Sequence, residues 1–144
     1  MGGGTRRYPP LSPLRLLACS LGLAALLLPA SARAQAPLIV RVQMLEFAFR
    51  PATIRLTAGR PVRLVLVNQG QIAHKFETTY LHAVPVRTVG DAVSVEAAGL
   101  DVVRLNPGGM ARVEFLPRSK GRFVFACTME GHKEAGMLGS LEVR

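Results

Sequence analysis

"GRFVFACTMEGHKEAGMLGSLEVR", Gly121 to Arg144, decides how this chain is read. Its ends, "GRFVFAC" and "GSLEVR", are apolar and rich in strand-forming residues; its middle is small and polar. A strand, a loop and a returning strand are therefore expected at the end of the chain. The loop carries a thiol, an imidazole and a thioether, Cys127, His132 and Met137, each five residues after the last. Gly131 and Gly136 lie between them and allow sharp turns. A loop of this size can fold three side chains onto one point.

Working back from that loop, strands continue. "LIVRVQML" (Leu38 to Leu45) and "TIRLTAG" (Thr53 to Gly59) carry β-branched residues and alternate in part. "RPVRLVLVNQG" alternates through Val62, Leu64 and Leu66 and stops at Asn68-Gln69-Gly70. "VVRL" (Val102 to Leu105) runs into Asn106-Pro107-Gly108-Gly109, a turn signal, and "MARVEFL" follows. No stretch sustains an apolar period of 3.6. Short strands punctuated by turns predict an all-β domain, a sandwich or barrel. Thr79 to Leu100 stays open, as another strand or a short helix.

The first third differs in kind. Met1 to Arg15 carries Arg6, Arg7 and Arg15 without an acid, then the apolar run Leu16 to Leu28, Pro29 and "ASARAQ". This order reads as a secretory signal peptide over residues 1–34, cleaved after Ala34, with the functional domain over 35–144. The run is shorter than the about 20 residues of a span, so no membrane span is expected after cleavage. "TRRYPPL" has the paired arginines of a twin-arginine signal but not the residues that follow them. Cys19 in "LLAC" precedes most of the apolar run, whereas a lipoprotein box would end it, so it reads as an ordinary leader cysteine. The exported chain keeps fourteen basic residues against nine acidic ones, a net charge of +5. That excess can steer the domain towards acidic partners. It is scattered and accompanied by few aromatics, which argues against nucleic-acid binding. One cysteine remains, so no internal disulfide can form.

The soft donors of the exported chain are Cys127, the histidines His74, His82 and His132, and the methionines Met44, Met110, Met129 and Met137. Thiolate, imidazole and thioether together favour soft or borderline metals, copper ahead of magnesium or calcium. His74, just past the turn after "RPVRLVLVN", can supply a second imidazole. His, His and Cys with a weak axial Met is the ligand set of blue-copper electron-transfer sites. A closed zinc site would use Cys and His without a thioether. Each residue also has a plain reading. Cys127 alone would be a buried thiol, His132 a loop histidine, Met137 packing and His74 a strand cap. His82, in "TTYLHAVPV", reads as exposed, Met129 as loop packing or part of a partner-facing apolar patch, and Glu130 and Glu134 as solvated charges.

The chain resembles the cupredoxin family in "FAFRPATIRLTAGRPVRLVLVNQGQIAHKFE", "LNPGGMARVEF" and "GRFVFACTMEGHKEAGMLGSLEV", which cover most of the exported domain. The C-x4-H-x4-M spacing is most similar to auracyanin-like and plastocyanin-like periplasmic members. The resemblance implies a Greek-key β-sandwich holding one type 1 copper ion through His74, Cys127, His132 and Met137. It departs from the family at Lys75, where many members have Asn, and over Thr79 to Leu100, which matches no family motif.

The expected function is a one-electron carrier in the periplasm, a monomer exchanging electrons with an acidic cytochrome or a copper enzyme. The alternative is a copper chaperone or resistance protein with the same ligands. An enzyme is not expected, since oxidase or nitrite-reductase centres need further histidines and only His82 is left over. Mass spectrometry of protein recovered from its native host should find an N-terminus within a residue or two of Gln35. A diacylated Cys19 would instead establish a lipid-tethered protein.

Overall fold

A computed structural model describes residues 1–2, 35–89 and 94–144. The proposed leader, with Arg6, Arg7, Cys19 and the cleavage motif, lies outside the described residues. Among those described, no helix is long and apolar enough to cross a membrane.

The elements run β1 (Leu38–Leu45), β2 (Ala48–Arg50), β3 (Thr53–Leu56), β4 (Val62–Asn68), β5 (His74–Thr78) and α1 (Thr79–His82). There follow β6 (Val86–Val89), β7 (Ser94–Ala97), β8 (Val102–Leu105), β9 (Met110–Phe115), β10 (Gly121–Ala126) and β11 (Leu138–Val143). They form a six-stranded sheet, β2-β1-β4-β9-β6-β7, and a five-stranded sheet, β3-β11-β10-β5-β8. Two pairs are parallel, β1 with β4 and β3 with β11, so the chain crosses between the sheets as well as forming antiparallel pairs of consecutive strands such as β1–β2 and β10–β11. This is the expected all-β sandwich.

Alternation explains the core. In β4, Val62, Leu64 and Leu66 face inward and are almost wholly buried. The facing sheet contributes Ile54, Phe76, Phe125 and Leu141. Phe76 and Phe125 stack with ring centres 5.0 Å apart, and Phe49 meets Phe125 edge-on at 5.1 Å. Such pairs add about 0.5–1.5 kcal/mol each beyond the area they bury. On the outer face of the larger sheet, the register lines up Arg63, Glu114, Arg87 and Glu96 across four strands. Arg63 and Glu114 pair at 2.7 Å. One face is thus apolar and the other solvated, as the period of two requires.

Thr79 to Leu100 holds both structures left open by the sequence. Thr78 caps α1 by accepting the Tyr80 N–H, and its hydroxyl donates to Val124 O at 2.9 Å. The helix buries Tyr80 and Leu81, and a β6–β7 hairpin follows. Leu100 N–H returns to Leu81 O at 2.9 Å, closing the excursion at its base. The strand β5 was not legible in the sequence because two of its three inward residues, His74 and Thr78, are polar.

The last strand starts at a crowded point. A Cβ on Gly139 would lie 2.3 Å from the Phe125 ring and 2.5 Å from Ala52 O, which already accepts the Ser140 N–H. Neither neighbour is a flexible side-chain tip. Gly139→Ala should therefore destabilise the metal-free protein by about 1–3 kcal/mol, the usual cost of overpacking. Chemical denaturation measures this, and an unchanged midpoint would show that β11 can shift.

Candidate metal centre

Three pieces of backbone meet at one end of the sandwich. His74 is the first residue of β5, Cys127 follows β10 directly, and Met137 directly precedes β11. β5 and β10 are neighbours, pairing Phe125 with Thr78 and Ala126 with Glu77. That pairing brings Cys127 to the start of β5, where the Lys75 backbone N–H lies 3.3 Å from Cys127 Sγ. The contact uses the backbone, so it does not depend on the lysine side chain that sets position 75 apart from many cupredoxins.

The loop between Cys127 and Met137 is closed by its own backbone. Cys127 N–H donates to Met137 O at 3.0 Å, Met137 N–H to His132 O at 2.9 Å, and His132 N–H to Met129 O at 3.1 Å. Gly131 and Gly136 have φ of 74° and 96°, the left-handed region that favours glycine. Each expected donor on the loop is thereby tied to the others through main-chain bonds.

The structure brings His74, Cys127 and His132 together, with their ligand atoms all within 4.8 Å of one another. Cys127 Sγ is 3.3 Å from His132 Nδ1, and the two imidazole centres are 5.2 Å apart. Cys127 and His74 have no solvent exposure, and His132 has 7%. Met137 is also wholly buried and belongs to the core cluster. His82 is not among the converging donors. Its side chain is 41% exposed and lies 3.9 Å from Asp101.

Two buried polar residues at this end show what is structural and what is not. Asn68 is fully satisfied: Nδ2 donates to Ile72 O at 2.8 Å and Leu105 O at 3.0 Å, while Oδ1 accepts from Gly70 N–H at 2.9 Å. It holds the β4–β5 loop in place. Both ring nitrogens of His74, by contrast, are buried without a hydrogen-bond partner. An unpaired buried polar group costs about 1–3 kcal/mol, so such groups normally have a partner or a function. A neutral imidazole beside a thiol and a second imidazole suits a soft or borderline cation. The residues fit a bound copper ion.

Burial lowers the His74 pKa, the neighbouring His132 lowers it further, and the Glu46 carboxylate opposes both. Glu46 is itself held below its ordinary value, chiefly by the Gln71 N–H it accepts. Glu46, Phe47 and Asn68 were not picked out from the sequence. Asn68 at the end of an apolar strand was at least visible as a turn residue; nothing local marks the other two.

A family model described as the cupredoxin-like domain matches residues 17–138. The copper-resistant cuproprotein CopI of Rubrivivax gelatinosus is 36% identical over 117 residues, spanning 77% of this chain and 69% of that protein. The protein of the same name from Pseudomonas aeruginosa is 27% identical over an alignment spanning 92% of this chain and 98% of its own length. Among solved structures, auracyanin B is similar with a TM-score of 0.54 and 26% identity, covering 76% of this chain and 91% of that one.

The lowered His74 pKa has a consequence for the metal-free protein. Below the ordinary histidine pKa of about 6.5, the unfolded chain binds a proton that folded His74 resists. The stability that His74 contributes is fully present above that value and falls as pH drops below it, until His74 protonates in the folded state too. The denaturation midpoint should therefore fall between about pH 7 and about pH 5, and His74→Asn should flatten that slope. An equal slope in both proteins would assign the pH dependence to other groups.

Proposed function

This chain belongs to the cupredoxin-like domain family, and from that premise we propose that it is an exported type 1 copper protein that carries single electrons. The observation that carries the reading is the buried His74 imidazole, without a hydrogen-bond partner, converging with Cys127 and His132. His74, Cys127 and His132 would form the trigonal set and Met137 the weak axial donor. Copper bound there supplies one-electron chemistry between Cu(II) and Cu(I).

The residues around the site support carriage over turnover. His74 is held by β5, and Cys127 and Met137 by β10 and β11, so the scaffold rather than the ion sets the donor positions. A site that changes little between oxidation states keeps its reorganisation small. Phe47, edge-on to His132, is 46% exposed, and Ile72 and Leu138, two residues from His74 and one from Met137 along the chain, are 45% and 46% exposed; we read these three as an apolar rim beside the centre. Such a rim lets a redox partner approach the imidazole closely, and the charge of +5 after leader removal favours an acidic one. Only His82 is left over, too few histidines for a second copper centre, and we read the chain as a carrier rather than an enzyme.

A second reading is copper handling in the exported space. It is favoured by the name that both relatives bear, copper-resistant cuproprotein. The ligands would be the same. A carrier keeps copper through repeated reduction and oxidation, whereas a handling protein surrenders Cu(I) to a modest chelator.

Adding Cu(II) to the metal-free protein should produce an intense visible absorption from thiolate bonded to copper. Cys127→Ser should abolish it, and Met137→Leu should keep the colour while raising the reduction potential. A colourless wild type at full copper occupancy would overturn the type 1 reading. Loss of copper binding in Met137→Leu would remove Met137 from the weak axial role.

A further inference from the structure

The turn between β1 and β2 lies against His132 and beside the loop that leads to His74. Glu46 accepts the Gln71 N–H, and Gln69 N–H donates to Met44 O at 2.9 Å, so the turn is fastened to the loop that carries His74. Gly70 fits between them: a Cβ there would lie 2.5 Å from Glu46 Oε1 and 2.8 Å from His74 Nε2. Phe47, the next residue, places its ring edge-on to His132, with centres 5.2 Å apart and planes at 67°.

Phe47 is an expensive residue at this position. Its φ is 58°, and it is the one non-glycine with positive φ among the described residues. Glycine or asparagine would sit there with less strain. Its ring is half-exposed and lies outside the core cluster, so core packing does not account for it. The ring faces His132, which is buried although Gly131 and Lys133 on either side are exposed.

We propose that Phe47 is a shield over His132, a positioning residue that holds the imidazole against Cys127 and controls how readily metal leaves the centre. The proposal rests on the copper reading for its metal arm. In the metal-free chain, it rests only on the geometry of Phe47, His132 and Cys127. The ring packs on one side of His132 while Cys127 Sγ lies 3.3 Å from its Nδ1. Without the ring the imidazole gains room to rotate away from the sulfur, and water and small reagents gain access behind it. Backbone strain at functional sites is expected where the surrounding structure holds it in place, as Glu46 and the β4–β5 loop do here.

The test uses Phe47→Gly and Phe47→Asn, which remove the ring but suit the positive φ, and Phe47→Tyr, which keeps it. The first measurement is the reaction rate of the Cys127 thiol with an aromatic disulfide in the full metal-free protein. The second is the rate at which a bidentate chelator removes Cu(I). Both rates should rise about three- to tenfold in the Gly and Asn variants, the span one edge-to-face aromatic pair is worth. Phe47→Tyr should stay near wild type, and the metal-free melting temperature should hold in all three. Unchanged rates would overturn the proposal. So would faster rates accompanied by a comparable loss of stability in both ring-free variants, because the ring would then be ordinary packing. Slower electron exchange with a partner at unchanged thiol and chelator rates would make Phe47 a docking contact only, and would also overturn it. If the wild type does not form a coloured copper site, the copper reading fails, while the thiol measurement still decides the shield.

Discussion

The hydrogen bond from Cys127 N–H to Met137 O closes the loop on which the rest of the site depends. It joins the end of β10 to the start of β11, so the sheet register extends directly into the loop. The next bond, Met137 N–H to His132 O, draws the middle of the loop inward. Through these two bonds the sheet's rigidity is passed to three side chains. The contact from Lys75 N–H to Cys127 Sγ then couples the loop to β5 and hence to His74.

Placing these donors at the end of a sandwich has an energetic consequence. The interior beneath them is aromatic and aliphatic, with Phe49, Phe76 and Phe125 in mutual contact. An imidazole without a partner lowers stability there, and the well-packed layer below offsets it. Asn68 and His74 mark the two solutions to buried polarity at one site. The asparagine is satisfied by three bonds and fixes the loop, whereas both ring nitrogens of the histidine are buried without a partner. The same economy explains the β1–β2 turn, where Glu46 fastens the turn and Phe47 covers His132.

Half-exposed apolar side chains neighbour the buried donors at this end of the molecule. Leu138 lies one residue from Met137, Ile72 two residues from His74, and Phe47 against the His132 ring, so each rim residue adjoins a proposed ligand.

The amino-acid sequence by itself determined the features that depend on near neighbours along the chain. Leu38–Leu45, rich in β-branched residues, and Val102–Leu105, ended by a turn signal, could have their limits read directly. Cys127, His132 and Met137 could be grouped because one loop carries all three at regular spacing, with glycines where the backbone must turn. His74 was legible only as an available imidazole in a familiar pattern. Its convergence with the loop required the antiparallel pairing of β5 with β10, a contact between residues about fifty apart in the chain. The tertiary structure alone decided β5 itself, whose inward histidine and threonine break the apolar alternation, and the helix and hairpin within Thr79 to Leu100. It alone decided the place of Glu46 and Phe47, because nothing in "LEFAF" records that its turn will lie against His132 and beside the loop that leads to His74. Periodicity and spacing are local properties written along the chain, whereas the partner of a buried nitrogen or an exposed ring is set by which strands come to lie side by side.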